Sequence, residues 1–126
     1  MAVKRGFLLV LLVFTAIGVG CKPNIVGGDA GVYSNFRLYA VASNDMGSVY
    51  EAGVKSLEQL DVDIESKAKD VFSAKIVGEA ADGKDITIVI KPKDDNSSEL
   101  SIKVGTFGNK YRSQVIYDKI RENLGS

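Results

Sequence analysis

At 126 residues the chain is long enough for one domain and too short for two that each bury a core. It has no histidine, no tryptophan and one cysteine, which excludes histidine triads, histidine-ligated zinc, multi-cysteine metal sites and internal disulfides. Lysine plus arginine number 16 and aspartate plus glutamate number 16, so no basic excess supports nucleic-acid binding.

Lys4 and Arg5 precede an apolar run from Phe7 to Val19. As a helix that run reaches only about 20 Å, at roughly 1.5 Å per residue, short of a hydrocarbon core of roughly 30 Å. Residues 1–20 therefore read as a signal peptide that is removed, not as a membrane span. The run ends in Gly18-Val19-Gly20-Cys21. This ending resembles the bacterial lipobox, in which small residues precede a cysteine that receives diacylglycerol and becomes the new N-terminus. Gly18 stands where leucine, valine or isoleucine is more usual. The resemblance implies cleavage between Gly20 and Cys21, fatty acylation of Cys21 with palmitate or a similar chain, and attachment of the mature chain to the cell envelope. Lys22 directly after the cysteine implies sorting to the outer membrane of a diderm host, facing the periplasm. An ordinary secretory signal, leaving a soluble product, is the alternative. Two or three acyl chains suffice for a stable anchor, whereas a single chain is marginal. Removing the leader also removes Lys4 and Arg5, leaving a slightly acidic protein.

Residues 21–32 combine the lipidated cysteine with a glycine-rich, aperiodic stretch expected to be a flexible tether, and residues 33–126 are expected to form a single domain. Asn35 to Ala42 alternates Phe36, Leu38, Ala40 and Ala42 against Arg37, Tyr39 and Val41 as a first strand, with the former set expected inward. Ser43-Asn44-Asp45 then starts a helix running to Leu60, with Asp45 as cap and Val49, Gly53, Leu57 and Leu60 on its apolar stripe. Gly53 weakens the helix by about 1 kcal/mol relative to alanine and is expected to allow close approach to the sheet.

Three period-two stretches follow. Val62, Ile64, Ser66 and Ala68 are expected inward on the first, and Phe72, Ala74, Ile76 and Gly78 on the second. On the third these are Ile86, Ile88 and Ile90. Asp82-Gly83 signals a hairpin between the last two. Pro92 is expected to close its strand, and residues 93–99 to form a polar turn. Leu100, Ile102 and Val104 mark a last strand, and Lys110 to Leu124 a second helix. The expected fold is α+β: a mainly antiparallel sheet of about five strands with two helices on one face, in the order β-α-β-β-β-β-α.

The tract Ser101-Ile102-Lys103-Val104-Gly105-Thr106-Phe107-Gly108-Asn109, followed by Ser113 and Ile116, and Val49-Tyr50-Glu51-Ala52 at the first helix, resembles a family of small bacterial lipoproteins catalogued as domain of unknown function 3568. Asn109 stands where the family pattern suggests aspartate. The resemblance covers about Tyr33 to Leu124. It implies an envelope lipoprotein and an α+β fold, and brings no activity.

The strongest candidate site is the Gly105–Asn109 loop. It enters a helix N-terminus, where free N–H groups favour an anion, with Lys103, Gly105, Gly108, Asn109, Lys110 and Arg112 as the candidate binding residues. Its structural alternative is a strand-to-helix turn in which the glycines supply special φ/ψ, Phe107 fills the core and Asn109 caps the helix. Asp61, Asp63 and Glu65 suit calcium or glycoside chemistry by residue type, but strand alternation places Asp63 and Glu65 on a wet face beside Lys67, where cross-strand ion pairs explain them better. No serine or threonine has a recognisable base. The sequence thus points to a non-enzymatic, lipid-anchored binding module with no catalytic residue, cofactor or metal. Its partners are the membrane, through Cys21, and an envelope protein or component, but not nucleic acid. A small-anion or small-ligand binder is the alternative.

Overall fold

The structure is a computed structural model that describes residues 31–125. The expected signal peptide, its expected cleavage site at Gly20 and Cys21, and nearly all of the expected tether lie outside the described residues. These residues form β1 (Val32–Ser34), β2 (Arg37–Ala42), α1 (Met46–Gln59), β3 (Asp63–Lys69), β4 (Ala74–Glu79), β5 (Asp85–Asp94), β6 (Ser97–Val104) and α2 (Lys110–Asn123). The strands make one six-stranded sheet in the order β1-β2-β6-β5-β4-β3, antiparallel at every junction. Both helices pack on one face of it, and the fold is α+β.

The expected strand count was one short, because a hairpin precedes the expected first strand. Val32 already pairs with Tyr39, and Ser34 with Arg37. Asn35 (φ 51) and Phe36 (φ 66) both sit in the left-handed region, the geometry of a two-residue type I′ turn. Asparagine adopts that conformation readily but phenylalanine does not, so the pair carries no sequence signal for a turn, and Phe36, expected inward on the first strand, is instead half exposed in the turn.

Alternation builds the core. Leu38, Ala40 and Ala42 on β2, Ile76 on β4, Ile86, Ile88 and Ile90 on β5, and Leu100, Ile102 and Val104 on β6 all point to the helix side and are buried. α1 lays Val49, Ala52, Gly53, Ser56 and Leu57 on them. A Cβ on Gly53 would stand 3.0 Å from Ile76 Cδ1, so the missing side chain is what lets the helix approach. α2 contributes Ser113, Ile116, Tyr117 and Ile120. The helices are tied together where Asn123 Nδ2 donates to Ser56 Oγ and to Gln59 Oε1, each at 2.9 Å. Asp45 caps α1 by accepting from Ser48 N–H at 3.2 Å and Ser48 Oγ–H at 2.7 Å, an arrangement that holds its carboxyl below the ordinary range.

Further local expectations fail for physical reasons. The pairing register slips between Ile64 and Ser66, and this bulge at Glu65 inverts the facing of the rest of β3. Ser66 and Ala68 are therefore exposed, while Lys67 aligns with the core-facing Ile76. Phe72 is 79% exposed, because a turn at Asp70–Ser73 takes it out of β4. There Asp70 accepts the N–H groups of Phe72 and Ser73 at 2.7 and 3.0 Å. Pro92 does not end β5, which runs on to Asp94 through a second register shift and pairs there with Ser97, so the polar turn expected over residues 93–99 narrows to Asp95 and Asn96. Phe107 does not fill the core and is 76% exposed.

Candidate functional site

β6 delivers the chain into the Gly105–Asn109 loop. Gly105 N–H donates to Asp85 O at 2.7 Å and Gly108 N–H to Gly105 O at 3.3 Å. Gly105 and Gly108 have φ of 78° and 76°, so both use a conformation that other residues resist. Gly108 also lies directly against the β1–β2 turn. A Cβ there would collide with the Tyr33 hydroxyl and stand 2.6 Å from Phe36 O and 2.8 Å from Phe36 Cα. Asn109 Oδ1 accepts from Arg112 N–H at 2.9 Å and caps α2, as its residue type predicts.

This loop borders a cavity of about 340 Å3. Gly105, Gly108, Asn109 and Arg112 line it together with Lys84, Asp85 and Phe107. Four of the six candidate anion-binding residues are thus brought together. Lys103 instead points to the helix-free side of β6, and Lys110 begins α2 without lining the cavity. Arg112 is already committed: its two terminal nitrogens meet the Asp82 carboxylate at 2.8 and 3.3 Å. That contact is the main reason the Asp82 carboxyl titrates below its usual range. The Asn109 side chain and Asp82 therefore occupy one helix N–H and the nearest guanidinium. Lys84, which sequence reasoning missed, is the cation left on the wall. It sits in the Asp-Gly hairpin, and only the β5–β6 pairing brings that hairpin beside Gly105.

At the same end of the sheet, Asp63 pairs with Glu79 and Glu79 with Asp85. Glu65 joins them from the bulge. Desolvation first, then the charges of Glu79, Asp85 and Asp63, raise the Glu65 carboxyl above its ordinary range. The expected ion pairs to Lys67 do not form, because the bulge sends that lysine to the other face. No group of three or more carboxylate or cysteine side chains among the described residues is arranged to hold a metal ion.

The face of the sheet away from the helices is open in the described domain. Register places Tyr39, Ser101 and Val89 side by side across β2, β6 and β5. Ser101 is small between larger neighbours, leaving a depression of about 290 Å3 lined by Arg37, Tyr39, Val89, Lys91, Glu99 and Ser101, with Leu100 beneath. None of these charged side chains forms an ion pair within the described residues. On the opposite side, an apolar hollow of about 490 Å3 lies between the helices and the β4–β5 hairpin, lined by Leu60, Val62, Ile86, Tyr111, Val115 and Ile116 among others, with Asp82 and Arg112 also bordering it.

A family model described as a protein of unknown function (DUF3568) matches residues 6–123. The chain belongs to that family. No curated protein matches the chain. Within this DUF3568 domain the tract from Val104 to Gly108 has a structural cause that its spelling does not reveal: it seats the loop on the β1–β2 turn, and only glycine fits at position 108. Its phenylalanine instead remains outside, meeting Phe36 edge-on with ring centroids 6.3 Å apart and planes at 85°. No helix among the described residues is long and apolar enough to cross a membrane.

Proposed function

We propose that this DUF3568 protein is a lipid-anchored bacterial envelope lipoprotein, attached through Cys21 and facing the periplasm from the outer membrane, and that it acts as a non-enzymatic binding module. The observation that carries the binding role is the open sheet face. A sheet covered on one side alone usually turns a plainly polar side to water. Here the depression around Ser101 combines the aromatic ring of Tyr39 and the side chain of Val89 with Arg37, Lys91 and Glu99, charges that have no ionic partner among the described residues. Such a mixture of aromatic contact area and unpaired charge suits recognition of a protein surface.

Two measurements test the two halves. Cys21→Ser should accumulate as unprocessed precursor and take up no labelled fatty acid; normal processing of that variant sinks the anchor. Photo-crosslinkers placed at Tyr39 and Val89 should capture a common envelope component that crosslinkers at the exposed Glu51 and Lys55 of α1 miss. Equal capture from both faces rules out the sheet as the binding surface.

The cavity beside Gly105 supports a second reading, a small-anion or small-ligand site. If Lys84→Gln and Lys110→Gln together leave a phosphate-induced rise in melting temperature unchanged, that reading fails.

A further inference from the structure

The exposed apolar side chains of this domain are unevenly placed. Val32, Phe36, Tyr39, Val41 and Phe107 are among the large hydrophobics left exposed, and all five lie on the β1–β2 hairpin or on the loop that leans against it. Val32 is 67% exposed and Phe107 76%. Phe36 adds a conformational cost, since it holds φ 66 at a turn position where glycine is the comfortable residue. Its ring remains half exposed and meets the still more exposed Phe107. Core packing does not account for a surface-facing aromatic pair one member of which, Phe36, is strained, and strain of this kind concentrates at functional positions.

We infer that the β1–β2 edge, led by Val32, Phe36 and Phe107, rests on the lipid surface to which the chain is tethered. The inference rests on the anchored reading of Cys21. Val32 is the first residue of β1, so the tether runs straight into this edge. The residues between Cys21 and Val32 reach at most about 40 Å at roughly 3.6 Å each, and the strand they enter ends beside Phe36. Of the other exposed apolar side chains, Tyr111 sits in the first turn of α2, while Val71–Phe72 lies across the full sheet, about 24 Å away at roughly 4.8 Å per strand spacing. A short leash gives the near edge the higher effective concentration at the bilayer.

Charge agrees with this orientation. Arg37 and Lys103 sit on adjacent strands β2 and β6, and Lys110 follows Phe107 by three positions, so lipid phosphates would meet cations around the aromatic pair. The opposite edge carries Asp63, Glu65 and Glu79 together with Lys67, Lys69 and Lys75 on β3 and β4, so its charges balance and offer no comparable excess of cations. With the β1 edge down, the open face bearing Tyr39 and Ser101 stands upright and accessible to a partner.

The chain contains no tryptophan, so a single introduced indole reports its own position directly. Phe107→Trp and Phe72→Trp are prepared separately in the full lipidated chain and reconstituted into vesicles of phosphatidylethanolamine and phosphatidylglycerol, part of it with brominated acyl chains. The Phe107→Trp protein should shift its emission to the blue and lose most of it to bromine, while the Phe72→Trp protein keeps a water-exposed spectrum. Adding Phe36→Gly to Phe107→Trp should weaken the quenching while the domain still unfolds cooperatively, since glycine accepts the turn conformation. Quenching of the Phe107→Trp protein no stronger than that of the Phe72→Trp protein overturns the inference. So does a Phe107→Trp emission that shifts only in protein-containing envelope fractions, an outcome that assigns the patch to a protein partner. Fatty-acid labelling of the same preparation separates the two claims. Labelled Cys21 with an unquenched indole at position 107 removes the docking alone, and unlabelled Cys21 removes the anchored reading and the docking with it.

Discussion

Replacing Gly108 by alanine tests the packing of the loop on the hairpin. Two costs combine at this position. A non-glycine residue at φ 76 loses about 1–2 kcal/mol from the left-handed conformation alone. The new methyl would also have to displace the Tyr33 hydroxyl and the backbone of Phe36, whose O and Cα stand 2.6 and 2.8 Å away. Backbone in a tight turn yields poorly, and overpacking of this kind costs about 1–3 kcal/mol more. The sum, about 2–5 kcal/mol, is a large part of the roughly 5–15 kcal/mol that holds a domain folded. For a domain of this size it corresponds to a loss of roughly 10–30 °C in melting temperature. Gly83 supplies the control. It has φ 87, but an added Cβ would meet only Glu79 Oε2, at 4.0 Å. Gly83→Ala should therefore show the backbone cost alone, about 1–2 kcal/mol. Thermal and urea unfolding followed by circular dichroism measure both variants. If Gly108→Ala loses no more stability than Gly83→Ala, the loop does not bear on the hairpin as described.

Three further outcomes follow from the geometry. Glu65 titrates above its ordinary range in the folded protein, so its ionised form opposes folding above that raised pKa and the penalty vanishes below the unfolded value. Glu65→Gln should accordingly stabilise at neutral pH, with the gain shrinking as pH falls through the carboxylate range; a gain that grows on acidification contradicts the acidic cluster. Ser113 Oγ is fully buried without a hydrogen-bond partner, so Ser113→Ala should be neutral or stabilising by about 1 kcal/mol, and a loss beyond that in urea titration would reveal a partner. Asp45→Ala should lower the urea midpoint at neutral pH, because it removes the cap of α1. Since the Asp45 carboxyl is held low in the folded state, that difference should disappear as pH falls through its folded pKa, and a midpoint difference that persists unchanged in acid counts against the cap.

Residue type and spacing already carried the α+β architecture, the Asp45 and Asn109 caps, the close approach at Gly53 and the Asp82-Gly83 hairpin. Each of these depends on a handful of consecutive residues, and the physics that selects them is local. The same holds for the exclusion of histidine chemistry. The candidate loop was legible too, since two glycines followed by an asparagine at a helix start form a local pattern.

Contacts between distant segments decided the rest. The β1–β2 turn was hidden because Asn35-Phe36 is an unfavourable pair for it, held there by pairing with β2 and by the loop at Gly108. The bulge at Glu65 reversed Lys67 and gathered carboxylates where alternation had promised ion pairs. Lys84 and Asp82 reached the cavity and Arg112 through the hairpin connecting β4 to β5, far from α2 in sequence. Phe107 lay outside the core, against Phe36 of the β1–β2 turn. Period-two and period-three-to-four patterns state which side of an element is apolar. They do not state which strand lies beside which, and in this protein that adjacency sets the cavity, the acidic row and the apolar edge.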